Sequence, residues 1–242
     1  MIHVLVCLIA MVYAAVGHGG ASGYLALLAA FTTASPIEMS TSALILNLFV
    51  AGCAWRSFWQ AGHGSIQLIR PFLLGSVPFA LLGGWLRVSS PLYEGLLAVV
   101  LAFAAGRLAL LTRPSSSPIV THQPHRGLAR LVGGAIGLMS GIVGVGGGIV
   151  LSPLMILCRW ADAKHTASAS ACFIVANSLA GLLGRSLAGQ LDVGSSLAFI
   201  GPALVGGVVG SRLGAGVLPR PALCRTLAAV LMMAALKGVF HG

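Results

Sequence analysis

Apolar residues fall in long stretches, at about 2–32, 39–58, 66–86, 92–112, 128–158, 165–187, 194–217 and 221–240. A membrane-spanning helix uses about 20 apolar residues, so the pattern predicts about eight hydrophobic segments joined by short loops. The one sustained polar stretch runs from Arg113-Pro114-Ser115 through His122, His125 and Arg126. Its Pro/Ser composition reads as a linker. It divides the chain into a first membrane repeat (1–112), a polar linker (113–127) and a second membrane repeat (128–242). The first and fifth stretches are overlong. About 30 residues of straight helix would run about 45 Å, against a hydrocarbon core of about 30 Å. Each carries a glycine cluster in its middle, and glycine costs roughly 1 kcal/mol per residue inside a helix. Each is therefore expected to be two half-helices, either a broken span or a re-entrant hairpin.

The halves echo each other. Val16-Gly17-His18-Gly19-Gly20 in the first segment matches Val143-Gly144-Val145-Gly146-Gly147 in the fifth. Ser40 and Asn47 in the second match Ser170 and Asn177 in the sixth, and Pro78 with Gly83-Gly84 matches Pro202 with Gly206-Gly207. Three matches in the same order point to a duplication, a feature of secondary transporters.

Composition agrees with a lipid solvent. Hydrophobic residues make up 57% of the chain and charged residues 7%, and the mean hydropathy is +0.99. Soluble domains carry about 25% charged residues. The net charge of +10 is spread singly at segment ends (Arg56, Arg70, Arg113, Arg126, Arg159, Arg220), which fits the positive-inside bias and leaves no basic patch for nucleic acid. With the linker placed in the cytoplasm, re-entry of the fifth segment puts Arg159, Lys164, Arg212, Arg220 and Arg225 inside, and only Arg185 and Lys237 of the second half outside. Re-entry also gives each half an odd number of crossings, so the halves become inverted. The expected fold is thus an all-α integral membrane protein of two homologous, inverted halves in a bacterial-type cytoplasmic (inner) membrane. The N-terminal stretch lacks a positively charged start and reads as the first membrane segment rather than a leader. The five cysteines show no CxxC spacing and read as small packing residues.

Glycine breaks at mid-membrane carry candidate chemistry. The second half-helix after each break would expose free N–H groups and the positive end of its dipole. Two such starts converging would suit a small anion. The candidate substrate-binding residues are Gly17, His18, Gly19, Gly20, Ser22 and Asn47 from the first half. Ser140, Gly144, Gly146, Gly147, Gly148, Ser170 and Asn177 come from the second. Each has a plainer alternative: small residues also let helices pack closely, and a buried amide can bond a neighbouring helix. His18 is the one titratable group expected deep in the membrane, able to couple anion movement to a proton or simply to pack. Glu38, Glu94, Asp162 and Asp192 lie near segment ends, so no acidic cluster for sodium or another metal ion is visible, and no cofactor is expected.

The run Gly137-Leu138-Met139-Ser140-Gly141-Ile142-Val143-Gly144-Val145-Gly146-Gly147-Gly148-Ile149-Val150-Leu151-Ser152-Pro153-Leu154 resembles the signature of the sulfite exporter TauE/SafE family. Ala15 to Gly23 resembles its first copy, with His18 in place of a small or apolar residue. The resemblance implies a secondary transporter, and an exporter, for sulfite, sulfoacetate and related organosulfur or carboxylate anions. An anion channel, or a permease for another small anion, stays open as an alternative. An enzyme is not expected, because no paired acid and base is present. The expected partners are a small anionic substrate and membrane lipid, not nucleic acid; a homo-oligomer is left open.

Overall fold

A computed structural model describes residues 1–89, 91–93, 95–96, 99, 124–194 and 196–216. Regular structure there is helical throughout: α1 (Ile2–Ala15), α2 (Ala21–Phe31), α3 (Pro36–Phe58) with a π-helical turn at Trp59–His63, α4 (Ile66–Trp85), α5 (Arg126–Val143), α6 (Gly148–Leu157), α7 (Ala163–Leu187) and α8 (Ser196–Gly216). The eighth apolar stretch and most of the fourth and of the linker lie outside the described residues. Glu94, Arg107, Arg113, Arg220, Arg225 and Lys237 lie outside them too.

Local chemistry explains where the helices start. Ser35 accepts from the Glu38 N–H ahead of α3, where Pro36 occupies the first turn. Ser65 caps α4, His125 caps α5, and Asp162 accepts from the N–H groups of Lys164 and His165 to cap α7. Such caps satisfy donors that the first helical turn leaves free. The helices that begin inside the overlong stretches differ. α2 starts on Gly20 and α6 on Gly147, both in the left-handed region and both without a side-chain cap. Left-handed φ is nearly cost-free only for glycine, and it is this conformation that splits each stretch.

The two split stretches give helices of 14 and 11 residues in the first half, and of 18 and 10 in the second. α2 and α6 are therefore about 15–16 Å long, half of a hydrocarbon core. Pro36–His63 and helices α4, α5, α7 and α8 are each long and apolar enough to cross a membrane. α7 and α3 are the more buried of these, while α4 and α8 turn large side chains outward (Leu74, Phe79 and Trp85; Leu197, Val205 and Val209). An outward apolar face over whole helices requires lipid as its solvent.

Packing exchanges elements between the halves. α4 lies against α5 and α7; reciprocally, α8 lies against α1 and α3, and α3 meets α7. The last described helix of each half thus covers the first and third helices of the opposite half. Rows of glycine at every fourth position make the closest of these contacts. Gly133, Gly137 and Gly141 of α5 sit on the carbonyls of Phe72, Ser76 and Ala80, and Gly206, Gly210 and Gly214 of α8 on those of Cys7, Met11 and Ala15. A methyl group at any of the six would overlap a carbonyl oxygen. Without a hydrophobic drive between helices in lipid, such small-residue rows supply van der Waals contact. Gly83 and Gly84 likewise abut the backbone of Leu138 and Gly181, so the paired glycines of α4 and α8 pack helices together.

Candidate functional site

The first break turns through Gly17 (φ 78°) and Gly20 (φ 96°), and the second through Gly144, Gly146 and Gly147 (φ 83°, 77° and 77°). Each break is wedged against the long second helix of the other half: Gly17 lies on the backbone of Ala167 in α7, and Gly144 on that of Ser40 in α3.

Asn47 of α3 joins the breaks to each other. A side chain at Gly19 would overlap its carboxamide, and a Cβ at Gly146 would lie 2.7 Å from its Nδ2. The carboxamide is fully buried and bonds to nothing among the described residues. Asn177 on α7 is buried and unbonded in the same way, as are the hydroxyls of Ser140 and Ser178, the latter beside Gly146. Buried polar groups are ordinarily paired, and each orphan costs about 1–3 kcal/mol. Of these orphans, Asn47 and Ser178 lie against the breaks, and Ser140 lines the space next to Gly147.

His18 projects from the first break into the second half. Its Nδ1 lies 3.1 Å from the Val16 carbonyl and its Nε2 lies 3.3 Å from Ser152 Oγ on α6. Ser152 Oγ is in turn 2.6 Å from Ser170 Oγ on α7. With Nδ1–H donating to the carbonyl, the neutral ring accepts from Ser152, and Ser152 accepts from Ser170. This buried chain links the first break to α6 and α7 through a side chain that can carry a proton.

The structure places the remaining expected residues unevenly. Gly147 and Gly148 pack on Ile136 with Phe173 and on Ile174, shaping the start of α6. Gly20 packs on the ring of Tyr24. Ser22 Oγ lies 2.6 Å from the Tyr13 hydroxyl and so ties α2 to α1. An apolar cavity of about 250 Å³ beside the second break includes Met139, Ser140 and Gly147.

Arg185, which the charge count places on the outer side, is buried against the end of α5. Nη1 donates to the Ile37 carbonyl, Ser40 Oγ and Thr41 Oγ1, and Nη2 to the carbonyls of Gly141 and Ile142, at 2.6–3.3 Å. The Tyr93 hydroxyl donates to the Val143 carbonyl at 3.2 Å, and the Gly144 N–H to that of Ser140. The four last carbonyls of α5 are all satisfied in this way. Ser152 also escaped sequence reasoning, although it lies within the signature run. A hydroxyl one residue before a proline in an apolar helix was the available signal.

A multi-pass helical membrane protein with two uncapped mid-chain helix starts beside a buried amide is consistent with a membrane transporter. The sulfite exporter TauE/SafE family matches residues 2–238, and the chain belongs to that family. It is 31% identical over 231 residues to the probable membrane transporter protein y4hK of Sinorhizobium fredii, covering 95% of this chain and 93% of that protein. No solved structure matches it. The chain is accordingly a membrane transporter of the TauE/SafE type.

Proposed function

We propose that this transporter exports small oxyanions of the sulfite or sulfoacetate kind, bound at mid-membrane between the two glycine breaks. The observation that carries the reading is Asn47: a buried, unbonded carboxamide in contact with Gly19 of one break and Gly146 of the other. The uncapped starts of α2 and α6 support it, because an oxyanion accepts several N–H donors at once and favours the positive dipole end. The family's description supports the sulfur character and the outward direction. In this reading the halves are inverted repeats (1–112 and 128–242), the linker 113–127 lies in the cytoplasm, and the membrane is the inner membrane of a bacterial-type cell. The His18–Ser152–Ser170 chain supplies proton coupling: a protonated imidazole adds a positive charge that strengthens anion binding, and deprotonation weakens it.

Reconstitution into liposomes tests this, with sulfite, sulfoacetate, sulfate, thiosulfate and short carboxylates offered with and without a pH gradient. Saturable uptake that is stimulated by anion on the opposite side is expected. Linear conductance would replace the transporter mechanism with a channel, and failure of every anion to move would end the anion reading.

A further inference from the structure

A cavity of about 490 Å³ with mixed polar and apolar walls lies at the C-terminal ends of α4 and α7, beside the end of α5. Its lining includes Arg185, Arg87, Ser35, Ser40, Tyr93 and Gln190. Arg185 is 5% exposed, and its five hydrogen bonds all go to uncharged oxygens, while its Nε is unbonded among the described residues. The carbonyl end of a helix offsets only about half a unit of charge. Much of the guanidinium charge is therefore left for whatever enters the cavity. Arg87 brings a second guanidinium from the exposed rim, where its Nη2 donates to the Ala188 carbonyl at 3.3 Å. Arginine is the side chain best matched to planar or tetrahedral oxyanions, through its fork of donors. The volume is within the ordinary range for small-molecule sites, about 300–1,000 Å³.

We propose that this cavity is a second oxyanion site, a vestibule in which Arg185 and Arg87 hold a free anion before it enters or after it leaves the central site. The proposal rests on the anion reading for its place in transport, yet it predicts binding that stands without the central site. Arg185 serves both places: the same guanidinium that faces the vestibule holds the carbonyls of Gly141 and Ile142 at the end of α5, five and four residues before Gly146. An anion in the vestibule would compete with those carbonyls for it, so occupancy of one site is felt at the other.

The test uses the purified full chain and sulfate as probe, by calorimetric titration. An Asn47→Leu background removes the central carboxamide. Sulfate should still bind there, and Arg87→Gln should weaken it about three- to tenfold, an effect that shrinks as salt rises and screens the rim charge. Arg185→Lys, which keeps the charge but loses the fork, should weaken it further. Arg212→Gln on α8, an equal loss of charge at an exposed position outside the cavity, should change nothing. Unaltered affinity in folded Arg87→Gln and Arg185→Lys, or an equal loss in Arg212→Gln, would overturn the vestibule. A further arm compares detergent with nanodiscs containing phosphatidylglycerol. If anionic lipid abolishes sulfate binding, a headgroup is the occupant and the free-anion vestibule is refuted. Failure of the central reading is distinct: Asn47→Leu would then transport normally while the arginine variants still shift sulfate binding.

Discussion

The two glycine breaks are built from nearly the same sequence and are held open by different means. At the first, the chain satisfies itself: the N–H groups of Val16 and His18 return to the Tyr13 carbonyl, that of Gly17 to Ala14, and the His18 ring to Val16. At the second, the ends of α5 are held from outside, by Arg185 of α7 and Tyr93 of the fourth segment. The residue at the matching position of the first half, 130 residues earlier, is Trp55. The first break is therefore a local turn carrying a titratable ring, and the second is a joint whose geometry depends on a distant cation. In the proposed mechanism the first break would answer to protons, and the second to whatever Arg185 touches.

The comparison breaks most sharply at the shared contact. Gly146→Leu forces a branched side chain onto Asn47 and Ile174 at a left-handed position. Transport should fall at least a hundredfold while the protein still inserts and purifies, since strain and overlap together exceed about 3 kcal/mol. Gly216→Ala on α8, with no described residue close to its Cβ position, should be silent in the same flux assay. Equal behaviour of the two variants would show that the second break has no special part.

Arg185→Met comes next in size. It orphans the Gly141 and Ile142 carbonyls without leaving a buried charge, and about 1–3 kcal/mol per unpaired group is expected. Thermal unfolding in detergent should therefore drop by several degrees, whereas Trp55→Met, at the matching position, should cost only packing. If the two lose the same stability, the second break is not held by its cation.

His18→Gln addresses the other copy. Glutamine can still donate to the Val16 carbonyl or accept from Ser152, but it does not titrate. The wild type should transport faster as pH falls through the range where imidazole protonates, because only the charged ring adds attraction for an anion. The variant should keep about a tenth or more of the wild-type rate at neutral pH and lose that dependence. A parallel pH profile in both proteins would remove the ring from the coupling.

How much of this was legible follows from the kind of signal. The splits after Ala15 and Val143 were readable because glycine clusters in overlong apolar stretches admit few other conformations. Asn47 and Asn177 were readable as candidates because an amide repeated at one offset in apolar surroundings needs an explanation. That Asn47 touches both breaks was not readable, since it depends on how α3 lies across two distant turns. Arg185 was hidden for a physical reason. An arginine two residues from a helix end ordinarily extends to water, and the absence of an arginine at position 55 removed the echo that marked the other site residues. The Ser22–Tyr13 bond was likewise not readable, because it depends on how α2 folds back against α1.

The smallest expected effect separates helix starts that are filled from those that are open. α7 begins on Asp162, whose carboxylate accepts from the Lys164 and His165 N–H groups and lies 3.0 Å from the His165 ring. Burial alone would raise this carboxyl, but the bonds from His165 and Lys164 outweigh it and hold the group below the usual carboxylate range. A depressed carboxyl stabilises above its unfolded value of about 3.9, and that contribution is lost as pH falls through the lower folded value. Asp162→Ala should cost about 1 kcal/mol of stability at neutral pH, and Asp162→Asn much less, because an amide oxygen also caps. Neither should alter anion affinity, since this start already has its acceptor, whereas the starts at Gly20 and Gly147 have none from a side chain. A change in transport affinity with Asp162→Asn would mean that a capped start also belongs to the anion's path, and the distinction between the two kinds of helix start would fail.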